Sequence, residues 1–173
     1  MSMLSLTIDD AQLQAALLRL EQAAIDLRPA MRQIAQALLL ETERNFEEEG
    51  RPRWAPLADA TVRARLGGKK AYKKSGALRA SAQRQLAGMR ILQHTGQLAS
   101  SITTNYDSTQ AVIGSNKVYA AIHQFGGKAG RGRSVDIPAR PFLPVTANGE
   151  LQPEAREAVL DCVLRHLRTA AGV

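Results

Sequence analysis

The residues with the most chemical potential lie between Tyr119 and Arg133, in the run YAAIHQFGGKAGRGR. It holds His123, the aromatics Tyr119 and Phe125, the glycine pair Gly126–Gly127 and the basic residues Lys128, Arg131 and Arg133. Metal ligation, nucleophilic or acid–base catalysis and phosphate binding all use such residues. Each chemistry also needs partners at a defined spacing.

Those partners are missing from the pattern. His94, His123 and His166 are far apart, and none has a His, Cys, Asp or Glu three or four residues further on. A zinc or iron site therefore has no evident ligand set. Cys162 falls beside Val159 and Val163 on the apolar stripe of the last predicted helix, where a thiol behaves as a small inert hydrophobe. No serine sits in a Gly-x-Ser-x-Gly elbow. Between residues 51 and 141 the acids are Asp59, Asp107 and Asp136, too sparse for a paired-carboxylate or two-metal centre. The run GGKAGRGRS matches neither phosphate-loop spacing and does not lead from a strand into a helix N-terminus. The residues point to a chain with no catalysis, no cofactor and no metal.

Charge leaves binding open. The net charge is +7, and residues 51–94 carry eleven Lys and Arg against the single acid Asp59. That segment suits nucleic acid, an acidic protein surface or plain solvation. Tyr72 is the lone aromatic of its lysine-rich part, so no base-stacking platform is evident, and no helix-turn-helix or zinc-finger spacing occurs. No apolar run approaches the ~18 residues that cross a bilayer, and the start MSMLSLTIDD lacks the basic-then-apolar order of a signal peptide. One cysteine cannot form an internal disulfide, which suits a reducing cytoplasm.

The elements that would position these residues read as follows. The 173 residues suit one domain, 1–173. Leu13, Leu17, Leu20, Ala24, Leu27, Met31, Ile34 and Leu38 repeat at steps of three and four, one helical stripe. Asp9 or Asp10 can cap its start. Pro29 predicts a kink or a new helix with the proline in its first turn. The stripe packs on its own domain or, alternatively, forms a seam between subunits. Residues 67–90 read as an exposed, mobile basic excursion with one helix near 76–87. SITTNY and AVIG, joined by DSTQ, predict a hairpin. KVYAAIHQF predicts a short helix anchored by Tyr119, Ile122 and Phe125 and stopped by Gly126. Residues 127–136 read as a flexible loop, IPARPFLPV as an extended edge segment, and Pro153 to about Ala170 as a closing helix. The fold class is α+β: a long N-terminal helical region, a small antiparallel sheet with a short helix, and a C-terminal helix.

Four phrases in order carry a resemblance: RPRWAPLADAT (51–61), ILQHTGQLASSI (91–102), AVIGSNKVYAAIHQFGG (111–127) and IPARPFLPV (137–145). Together they resemble the phage virion morphogenesis, or tail completion, family of Mu-like and P2-like phages. Residues 67–90 look longer than that family's usual link. The resemblance implies a structural protein of bacteriophage or prophage, acting in tail completion or head–tail joining. It implies a ring-like homo-oligomer whose partners are itself, tail proteins and head-connector proteins, with DNA met only in passage. The expected location is the host cytoplasm during assembly and then the virion tail. The matched positions Trp54, Thr95, Gly96, Leu98, Tyr119, Phe125, Gly126, Gly127, Pro141 and Phe142 take structural roles, with Thr95 capping the turn before the strand. Lys69, Lys70, Lys73, Lys74, His123, Gln124, Lys128, Arg131, Arg133 and Arg140 are the expected assembly contacts. Arg140, between two prolines, is expected to hold a carboxylate through both arms of its guanidinium.

Overall fold

Pro29 falls in the first turn of a new helix, where its missing N–H costs nothing. The N-terminal stripe is thereby cut into α1 (Ala11–Ile25) and α2 (Arg28–Glu47). The fold is given by a computed structural model that describes residues 11–146 and 148–172. The expected caps Asp9 and Asp10 lie outside the described residues.

The two halves of the stripe have different fates. Ile34 and Leu38 of α2 are buried against Ala155 and Cys162 of α6 (Pro153–Ala171), with Ala111 and Ile113 of the hairpin closing the other side. No residue of α1 is buried. It meets the rest of the chain mainly along α6, where Arg19 Nη2 donates to the Ala171 carbonyl at 3.0 Å. Both halves pack on their own domain, α2 closely and α1 along α6 with most of its surface exposed.

The predicted hairpin forms as β1 (Ile102–Tyr106) and β2 (Ala111–Ser115), antiparallel, with Thr104 opposite Ile113. Its turn is tied by Asp107, whose Oδ1 accepts the Thr109 and Gln110 amides at 2.7 and 3.0 Å. Then comes α5 (Ala120–Phe125), ended by Gly126 at φ +73°. A Cβ there would sit 2.8 Å from the Ala139 nitrogen and 3.0 Å from the Ile137 oxygen, so two constraints require glycine.

One expectation is corrected. Residues 127–136, read as a loop, form a second hairpin of β3 (Gly127–Ala129) and β4 (Val135–Ile137). A 3-10 turn, Arg131–Arg133, joins them, and Lys128 Nζ lies 3.0 Å from Asp136 across the strands. The glycines supply positive φ at Gly130 and Gly132. The basic excursion 67–90 holds a 3-10 turn (Gly68–Ala71) and, where a helix was expected near 76–87, α4 (Ala80–Ala87); with α3 (Asp59–Arg65) it makes a lobe. It has a core of its own, Leu66, Ala71 and Ala82, flanked by Val62, Tyr72, Leu78 and Met89. Small alanines carry that core, which is why it leaves little hydrophobic pattern.

The main core gathers Phe46, Trp54, Ile91, Leu98, Ala120 and Phe142. Phe142 is 1% exposed and stacks on Phe46 at 5.6 Å, while Trp54 meets Phe46 edge-on at 5.9 Å. Truncating a ring so buried costs about 3–5 kcal/mol. IPARPFLPV is extended, as its prolines require, but its Phe142 end runs through this core.

Candidate functional site

The segments that carry the sequence phrases converge on one interlocked region. The stripe of α2 continues past Leu38 with Glu41, Thr42 and Asn45, polar side chains all buried. Buried polar groups must be partnered or they cost stability, and these are. Asn45 Nδ2 donates to the Phe142 carbonyl at 3.1 Å and to Gln152 Oε1 at 3.0 Å. Arg51 Nε donates to Asn45 Oδ1 at 3.1 Å, and its Nη2 lies 2.8 Å from the Glu41 carboxylate. Gln152 Nε2 closes the circuit on the Arg51 carbonyl at 2.8 Å.

A second set of bonds straps Ala139–Pro144 to the Trp54 segment. Trp54 Nε1 donates to the Pro141 carbonyl at 2.9 Å. Gln124, from α5, is buried; its Oε1 accepts the Phe142 and Leu143 amides, both at 3.0 Å, and its Nε2 donates to the Val145 carbonyl. Gln124 thus stands in for a missing strand partner of a proline-rich segment. Arg140 is 6% exposed and spends its fork on the carbonyls of Ala55 and Pro56, each at 2.9 Å. The expectation that Arg140 holds a carboxylate is corrected: its geometry is bidentate, but the acceptors are backbone oxygens. Burial lowers its pKa, with the charge of Arg65 adding to the effect.

Other expected residues separate by exposure. Lys69, Lys70, Lys73 and Lys74 stand exposed on the lobe, and Lys128, Arg131 and Arg133 on the second hairpin. Phe125 is 63% exposed, so it does not anchor α5; Tyr119 packs on the main core instead. Thr95 makes no cap, since the turn at Ala99–Ser101 has no side-chain cap bond. Gly96 does take positive φ, +70°, and its carbonyl accepts the Ser100 amide at 3.0 Å. Leu98 is buried. His123 is half-buried beside Tyr119, ring centres 6.0 Å apart; burial first, then Arg140, lowers its pKa. The neutral imidazole is therefore favoured.

Among the described residues no group of three His, Cys, Asp or Glu is placed to hold a metal ion. No described helix is long and apolar enough to cross a membrane. The arrangement is a bonded scaffold under a charged and partly apolar surface, without a set of groups aimed at one reacting atom.

Sequence relationships agree with this picture. The family model for phage virion morphogenesis matches residues 8–168. The chain belongs to the phage virion morphogenesis family. Members similar to it include the "Mu-like prophage FluMu G protein 2" of Haemophilus influenzae, 40% identical over 149 residues, 86% of this chain and 88% of that one. The "Putative capsid assembly protein G" of Escherichia phage Mu is 34% identical over 155 residues, 85% of this chain and 86% of that one. No solved structure matches the chain. A structural role in building a phage particle follows from the virion morphogenesis family. Reasoning from sequence missed Asn45, Arg51 and Gln152. The available signal was the polar run at core-facing positions of α2.

Proposed function

We propose that this virion morphogenesis protein is a non-enzymatic tail-completion or head–tail joining factor that works by assembling with copies of itself. One observation carries the reading: an apolar face on α1 and α6 that stands exposed among the described residues. Leu160, Val163, Leu164 and Leu167 recur at helical steps along α6 and are 37–54% exposed. Leu17, Leu18 and Ile25 of the adjoining α1 are 55–78% exposed. Repeated large apolar side chains left in water on two packed helices are characteristic of a surface that another chain covers. A second copy is the natural occupant, since closed homo-oligomers are the commonest assemblies. The name of the phage Mu relative refers to capsid assembly, which supports a part in building the particle. The protein would act in the host cytoplasm and remain in the virion.

The test is sedimentation of the purified protein over a concentration series, beside Leu164→Glu and Leu17→Glu. The wild type is expected to form a closed oligomer, and either glutamate to reduce it to a folded monomer. A wild type that stays monomeric throughout, or variants that assemble unchanged, would count against the reading.

A further inference from the structure

Between the basic lobe and α5 lies a cleft of about 180 Å³ whose positive charges have no counterpart. Arg65 enters it from the last turn of α3, His94 and Thr95 from the turn before β1, and Tyr119 and His123 from the α5 side, beside the apolar Leu98. Arg65 and His94 also line an adjoining cleft of about 160 Å³ that reaches Arg90. No Asp or Glu lines either one.

The groups are also under-satisfied. Arg65 Nη1 and His123 Nδ1 are both buried with no hydrogen-bond partner among the described residues. Among the described residues the ion pairs belong to Arg44, Arg51, Arg53 and Lys128, and Arg65 has none. Arg140 cannot relieve it, being of the same charge and already committed to the Ala55 and Pro56 carbonyls. Burial and this like charge together hold His123 below its ordinary pKa. A cation left without counter-charge in a cleft is a standing cost, and an anion brought from outside removes it.

We infer that the cleft seats an Asp or Glu side chain on an extended acidic segment of a partner protein, with Arg65 as the carboxylate clamp. The unpaired Nη1 of Arg65 gives a carboxylate a charged donor. Tyr119 and Leu98 give the side chain's methylenes an apolar wall. The volume, about 180 Å³, suits a single side chain. The site does not depend on the α1–α6 face, and binding is read whatever the oligomeric state, so the two readings fail separately.

The experiment is titration of the full chain with a fluorescent hexaglutamate peptide at low salt. Arg65→Gln and His94→Gln should each weaken binding, the former by roughly tenfold or more. A control, Arg28→Gln with Arg32→Gln, removes more charge outside both clefts and should change affinity by less than about twofold. Thermal melts of each variant establish that it is folded. Absence of peptide binding overturns the proposal. So does an equal loss in the Arg28 and Arg32 control, which would mean diffuse attraction. A short DNA duplex that binds more tightly than the peptide and needs Arg65 would overturn it in favour of a phosphate seat.

Discussion

Asn45 on α2 and Phe142 on the proline-rich strap lie 97 residues apart in sequence and are joined by a 3.1 Å hydrogen bond inside the core. The amide that makes this bond also reaches Gln152, while its oxygen receives Arg51. One side chain therefore fastens α2, the Arg51 turn, the strap and the residue before α6.

Asn45→Ala is expected to cost about 3 kcal/mol, because the Phe142 carbonyl, Gln152 and the part-buried Arg51 lose a bond at once. Urea unfolding with an unchanged slope would read this as a lower midpoint. A loss under about 1 kcal/mol would mean that the other bonds hold the strap without it.

Gly126→Ala and Gly132→Ala separate backbone conformation from close contact. Both glycines have φ near +70°, but a Cβ meets nothing within 4 Å at Gly132 and strikes the Ala139 backbone at Gly126. The cost is expected to be about 1 kcal/mol at Gly132 and about 3 kcal/mol at Gly126. Equal costs in denaturant titrations would show that the contact at Gly126 relaxes away.

What the sequence made legible follows the same division between local and long-range causes. The helices, the first hairpin, the Gly126 stop and the α+β class rest on spacing, proline and glycine, which act within a few residues. The interlock does not. Asn45, Arg51 and Gln152 are ordinary polar residues until α2, the strap and α6 meet. Arg140 showed its forked geometry in advance but not its acceptors, because backbone carbonyls at Ala55 and Pro56 have no signature in sequence. The lobe's packing was not legible either, since its core is built on two alanines and one leucine, a pattern that resembles loop composition.

Ala82→Asp should open that lobe and spare the body. Ala82 is 4% exposed beside Leu66 and Ala71, and a carboxylate there has no partner, a cost of several kcal/mol. The lobe's end is fastened to the body by the Ile91 amide on Glu49 and by Arg90 on the Glu47 carbonyl. Amide exchange is expected to accelerate across 62–89 while α2 and α6 stay protected. Equal loss of protection in α2 would mean that lobe and body unfold as one unit.

Acid should act on this protein in two separate windows. The Asp107 carboxylate is held far below its ordinary 3.8, first by the Thr109 amide, then by the Thr109 hydroxyl and the Gln110 side chain. A lowered folded pKa means that protons bind the unfolded chain more readily. The stabilisation is therefore complete above about 3.8 and lost as pH falls toward the folded value. His123 obeys the same sign at higher pH, since burial and then Arg140 lower it from 6.5. Its contribution is intact above 6.5 and declines as pH falls below that value. Stability measured from pH 8 to 3 should fall first near 6 and again below 4. Asp107→Asn should flatten the lower step and leave the upper one. His123→Gln should flatten the upper step alone. An upper step that survives His123→Gln would show that His123 does not cause it.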